Sequence, residues 1–121
     1  MNSSASQTVD PARELTVQAA AALLADEAAR VALIDCRTPA EAALASIAGS
    51  RLIPLHNLPM RMDEIRTIEP DVDHVIVYCH HGRRSLIAVD AMRIAGMSKV
   101  MSMAGGIDAW SRVIDATVPR Y

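Results

Sequence analysis

The chain reads as an α/β protein built on a mainly parallel sheet with helices on both faces. Three observations predict this. Short apolar runs alternate with helix-patterned stretches along the chain. The strongest run, Val75-Ile76-Val77-Tyr78, carries no charge, as a strand covered on both faces requires. Two of the runs lead straight into polar residues, at Asp35 and at Cys79. Those positions are carboxyl ends of predicted strands, the edge where parallel sheets hold ligands.

Residues 1–13 are rich in Ser, Asn and Gln and contain Pro11, so they are expected to form a mobile tail ahead of a single domain over 14–121. Thr16 is placed to cap an alanine-rich helix from Val17 to about Ala28. Val31 to Ile34 is the first clear strand, running into Asp35-Cys36-Arg37. Thr38-Pro39-Ala40-Glu41 is a capping box with proline at the first helical position, predicting a short helix to about Ala45. Gly49 and Ser50 mark a turn, and Leu52-Ile53 is a short strand closed by Pro54. A helix is expected from Asn57 to Arg66, followed by an acidic connector from Glu69 to Asp73. After the Val75–Tyr78 strand, a helix from Arg84 to Ala95 ends at Gly96, where a C-terminal cap is expected. Val100 to Met103 is a further strand, Ala104-Gly105-Gly106 a turn, and Ile107 to Ile114 a last helix containing Trp110. The individual residues thus predict four strands.

At 121 residues and 51% hydrophobic content, the chain fills one core without a disulfide framework or a structural metal. A net charge of −2 gives no field for nucleic acid, and an aromatic content of 2% leaves little for base stacking. The longest apolar stretch, Ala19 to Ala25, is too short to span a bilayer, and no signal-peptide pattern is visible. A soluble cytoplasmic protein with reduced thiols is therefore expected.

Chemistry concentrates at Cys79. An unpaired cysteine is ordinarily a small buried apolar side chain. This one stands where an apolar strand gives way to His80-His81-Gly82-Arg83-Arg84-Ser85. The helix that follows directs its amino end at the sulfur, where N–H groups and the helix dipole favour an anion. Gly82 lets successive N–H groups converge on one point. Arg83 and Arg84 add permanent positive charge. Each influence favours the thiolate, which is the nucleophilic form.

Cys79-His80-His81-Gly82-Arg83-Arg84-Ser85 resembles the active-site loop of rhodanese domains. Three other stretches resemble that family in the same order. They are Leu33 to Glu41, with its Asp35-Cys36-Arg37 strand end, Ala95 to Val100, and Ala104-Gly105-Gly106-Ile107-Asp108-Ala109-Trp110. The match covers about Leu15 to Pro119. It departs at Ala45-Ser46-Ile47-Ala48-Gly49, where family members often carry glycine-histidine-isoleucine-x-glycine.

The resemblance implies a three-layer fold with a central, mainly parallel five-stranded sheet. It implies a sulfurtransferase in which Cys79 accepts sulfane sulfur from a donor such as thiosulfate. The persulfide then passes its sulfur to cyanide, a thiol or a sulfur-relay protein. His80, His81, Gly82, Arg83, Arg84 and Ser85 are the expected substrate-binding loop, and Asp35 and Arg37 its supports. No cofactor is called for. A metal at His80 and His81 is not expected, because adjacent residues do not converge readily on one ion and no second ligand pair is spaced for it.

Two rivals remain: a non-catalytic binding module on the same fold, and a phosphatase or arsenate reductase. Those oxyanion enzymes use cysteine-x5-arginine, whereas four residues separate Cys79 from Arg84. Cys36 is expected to be a buried core thiol, with a resolving role for Cys79 as the alternative.

Overall fold

The computed structural model describes residues 8–121. Five strands form one parallel sheet. In chain order they are β1 (Glu14–Leu15), β2 (Val31–Asp35), β3 (Arg51–Leu52), β4 (His74–Tyr78) and β5 (Val100–Met103). Their order across the sheet is β1-β5-β4-β2-β3. The helices are α1 (Val17–Ala25), α2 (Pro39–Leu44), α3 (Leu58–Ile68), α4 (Arg83–Ile94) and α5 (Gly106–Val113).

Alternation along the strands sorts the core into two layers. Ile34, Val75, Val77 and Val100 pack with Leu58 and Ile65 of α3 and with Ala88, Val89 and Met92 of α4. Leu33, Ile76, Tyr78 and Met103 face the other way, against Val17 and Ala20 of α1 and Ile107 and Trp110 of α5. The three-layer, five-stranded architecture is thus as expected.

Local structure follows local chemistry. Thr16 caps α1 by accepting from the Ala19 N–H. Thr38 and Glu41 form the reciprocal capping box at the start of α2. The α1 helix stops at Ala25, three residues before the expected end. The Asp26 carboxylate accepts from the Ala28 N–H and draws the chain into a turn, a local bond that competes with helix propagation. Gly96, at φ 99°, closes α4, and the Met97 N–H reaches back to the Met92 carbonyl.

The fifth strand, β1, is only two residues long and pairs with Ser102 and Met103 of β5. Residues 1–7 of the expected tail lie outside the described residues. Its last part is a turn tied to the domain. Arg13 pairs with Asp10 and with Asp90 of α4, and its carbonyl accepts from the Ser102 N–H. Among the described residues, no helix is long and apolar enough to cross a membrane.

Candidate active site

Cys79 directly follows β4, and its side chain joins Val75 and Val77 on the α3–α4 face. The sulfur is buried, with the residue only 1% exposed. Its surroundings are nonetheless polar on one side. The Gly82 N–H donates to Sγ at 3.1 Å, the Ser85 N–H at 3.4 Å, and the Ser85 hydroxyl lies 3.4 Å away.

Two features turn these amides inward. Gly82 takes φ 103°, a left-handed conformation that glycine adopts without steric cost. The carbonyls of Cys79 and His80 meanwhile accept from the N–H groups of Ile107 and Asp108, at 2.9 and 3.1 Å. With the carbonyls committed to α5, the loop presents its N–H groups to the sulfur. A Cβ on Gly106 would collide with those same two carbonyl oxygens. The glycine turn read from the sequence is therefore part of the cradle.

These donors hold the Cys79 thiol down at about 4. The neighbouring Cys36 thiol, acting as a donor, is the largest cause; the Ser85 hydroxyl and the Ser85 and Gly82 N–H groups add to it against the opposing effect of burial. Cys36 moves the other way. Its contact with Cys79, together with burial, pushes it far above the ordinary thiol range, so it stays protonated.

A second hydroxyl stands behind the first. Ser102 of β5 is fully buried, and its Oγ lies 2.7 Å from Ser85 Oγ. A thiolate only accepts, so Ser85 donates to sulfur and accepts from Ser102. A hydrogen bond to a charged group contributes about 1.5–3 kcal/mol. Ser85→Ala is accordingly expected to raise the thiolate midpoint by about one to two pH units. Ultraviolet absorbance of the thiolate against pH reads this directly; a midpoint still near 4 in the variant would show the hydroxyl to be idle.

The other loop residues are placed as follows. Arg84 is half-buried and donates from both terminal nitrogens to Glu41, at 2.7 and 2.9 Å. It holds the Glu41 carboxyl well below the usual carboxylate range. Arg83 is exposed, with no side-chain partner among the described residues. His80 stacks on Tyr121 at 4.0 Å. His81 is exposed, with Nδ1 3.9 Å from Asp108. The donor atoms of His80, His81 and Asp108 lie within 4.8 Å of one another, a grouping that sequence spacing does not reveal. Arg112 and Arg120 already engage the Asp108 carboxylate.

Asp35 and Arg37 form a buried bidentate pair at 2.7 and 2.9 Å. Arg37 also donates to the Ala45 carbonyl and to the Tyr121 hydroxyl. Its bonds reach α2 and the chain terminus, not residues 79–85. The connection to the loop is indirect: Tyr121 donates to Glu41, and Glu41 holds Arg84. Beside this network a cleft of about 350 Å³ is lined by Cys36, Thr38, Leu55, His56 and Arg84 among others.

The family model for the rhodanese-like domain matches residues 16–113, spanning the loop, the Asp35–Arg37 strand end and the glycine turn. The chain belongs to the rhodanese-like domain family. This rhodanese-like chain is 40% identical over 82 residues to a sulfurtransferase of Allochromatium vinosum, covering 68% of this chain and 73% of that one. It is 36% identical over 87 residues to the thiosulfate sulfurtransferase GlpE of Stutzerimonas stutzeri, covering 71% and 75%. Several other curated relatives are longer, and the chain spans only 24% of one of them. Among solved structures it superposes on RPA3614 of Rhodopseudomonas palustris, described as a protein of unknown function and possible tyrosine phosphatase. The TM-score is 0.74 at 28% identity, covering 92% of this chain and 86% of that one.

Sequence reasoning did not single out three members of this rhodanese-like site: Ser102, Tyr121 and the second role of Glu41. Ser102 carried a signal, a polar residue inside the apolar run Val100–Met103. Tyr121 carried none, since only the folded chain brings it to His80 and Arg37.

Proposed function

We propose that the chain is a sulfurtransferase working through a persulfide on Cys79. The thiolate attacks the outer sulfur of thiosulfate and forms a new S–S bond. The original S–S bond breaks, and sulfite leaves with its electron pair. An acceptor such as cyanide then attacks the terminal sulfur, leaves as thiocyanate and restores the thiolate. A thiol or a sulfur-relay protein accepts in the same way. Such chemistry needs reduced thiols and fits a cytoplasmic setting.

The observation that carries this reading is the set of donors on Cys79 Sγ from Gly82 and Ser85. With the thiol already held down to about 4, no general base is needed at neutral pH. Four residues between Cys79 and Arg84 make a tighter cradle than cysteine-x5-arginine, sized for one transferred sulfur atom rather than a transferred phosphoryl group.

Thiosulfate added without any acceptor is expected to release a burst of one sulfite per chain, and none from Cys79→Ser. No burst with thiosulfate or with inorganic polysulfide as donor, as judged by mass gain for the latter, would favour the binding module. Hydrolysis of a small aryl phosphate in its place would favour the oxyanion enzyme.

A further inference from the structure

Two thiols share one buried site, and the reaction above uses only one of them. Cys36 and Cys79 are both free and both buried. They stand on neighbouring parallel strands whose register pairs Ile34 with Val77 and Asp35 with Tyr78. One step further brings Cys36 opposite Cys79, and the Cys36 N–H donates to the Tyr78 carbonyl to continue the ladder. Both side chains fall on the same face, in one core cluster. Neighbouring strands run about 4.8 Å apart. That separation lies inside the Cα range of roughly 4.4–6.8 Å over which a disulfide closes.

We propose that Cys36 is a resolving cysteine, whose thiol attacks the inner sulfur of the Cys79 persulfide and expels hydrosulfide. The inference rests on the persulfide reading above. A bond forms between the two Sγ atoms as the bond from Cys79 Sγ to the outer sulfur breaks. The outer sulfur leaves with the electron pair and takes the Cys36 proton. Sulfane sulfur is reduced to sulfide, and the two cysteines are oxidised to a disulfide. A dithiol or low-molecular-weight thiol resets the pair.

Several observations favour this outcome. The Gly82 and Ser85 donors on Sγ come from the loop, whereas Cys36 approaches from the β2 side, so attacker and leaving sulfur need not compete for one space. Cys36 is protonated beside a thiolate, its contact with Cys79 being the largest cause. Persulfide formation moves the negative charge one atom outward and leaves a neutral sulfur facing Cys36, which relieves that restraint. Cys36 and Arg84 also line the 350 Å³ cleft, giving a reducing thiol an approach to Cys36. A core filler would need none of this register, and an aliphatic side chain would fill the site as well. The site thus has two fates for its sulfur: transfer when an acceptor is present, and discharge as sulfide when none is.

The test loads wild type, Cys36→Ser and Cys36→Ala with thiosulfate, desalts them, and follows sulfide and intact mass without added thiol. Serine keeps a donor beside Cys79, and alanine serves as the second variant should serine misfold. Wild type is expected to release one sulfide per chain and end two hydrogens lighter, with a peptide joining Cys36 to Cys79. Dithiothreitol should restore it. Both variants should keep the extra sulfur and release sulfide at least about tenfold more slowly. Wild type holding its sulfur as long as the variants do would overturn the resolving role and leave the persulfide standing. Failure of every form to gain sulfur and release sulfite would overturn the persulfide reading, and this inference with it.

Discussion

Cys79→Ser is expected to lose thiosulfate–cyanide sulfur transfer by a factor on the order of 10⁴ or more, the scale seen when an enzyme loses its covalent nucleophile. The substitution changes one atom. Serine is of similar size, and its hydroxyl still accepts from the Gly82 and Ser85 N–H groups that now meet the sulfur. What it loses is ionisation. The site holds a thiol down to about 4, yet no comparable set of neutral donors brings a hydroxyl into the physiological range. A hydroxyl is also a poor nucleophile toward sulfur and forms no stable persulfide analogue. Initial rates on protein shown by circular dichroism to be folded settle the matter. Activity retained in that variant would remove Cys79 from the reaction.

The fold and the polar loop around Cys79 were legible because both are written locally. An uncharged run of β-favouring residues, a capping box at Thr38 and a glycine at the end of α4 each declare themselves within a few positions. The loop after β4 could be read as an anion site for the same reason: strand end, glycine and helix start are consecutive.

What was not legible depends on contacts between distant segments. The two residues of β1 form a strand only because β5 offers an open edge. Asp26 ends α1 with a side-chain bond that helix propensity does not foresee. Glu41 was visible as a capping residue, but its bonds to Arg84 join positions 43 apart in the chain. The inward orientation of the loop amides is supported from α5, where Ile107 and Asp108 take the competing carbonyls. Sequence pattern pointed to Cys79; the Cys36 contact, with the packing of α5, β5 and the loop around the sulfur, holds its thiol low.

The pair behind the site has the largest expected effect on stability. The side chains of Arg37 and Asp35 are 0% and 2% exposed, with fork-to-fork bonds between guanidinium and carboxylate. An ion pair so buried gains little over an apolar pair of equal volume, because both charges are stripped of water. Removing one partner is different: it leaves the other charge buried without compensation. Arg37→Leu is therefore expected to cost about 3–5 kcal/mol, a large share of the roughly 5–15 kcal/mol that holds a domain folded. It also leaves the Ala45 carbonyl without the guanidinium that now donates to it. Arg37→Lys should cost less, since it keeps the charge but loses the planar fork. Combining Arg37→Leu with Asp35→Leu should recover much of the loss, because no lone charge then remains. Urea unfolding of wild type, Arg37→Leu, Asp35→Leu and the double variant closes a double-mutant cycle and reads the coupling. A cost for Arg37→Leu within about 0.5 kcal/mol, the range of ordinary surface substitutions, would mean that the pair is no brace at all.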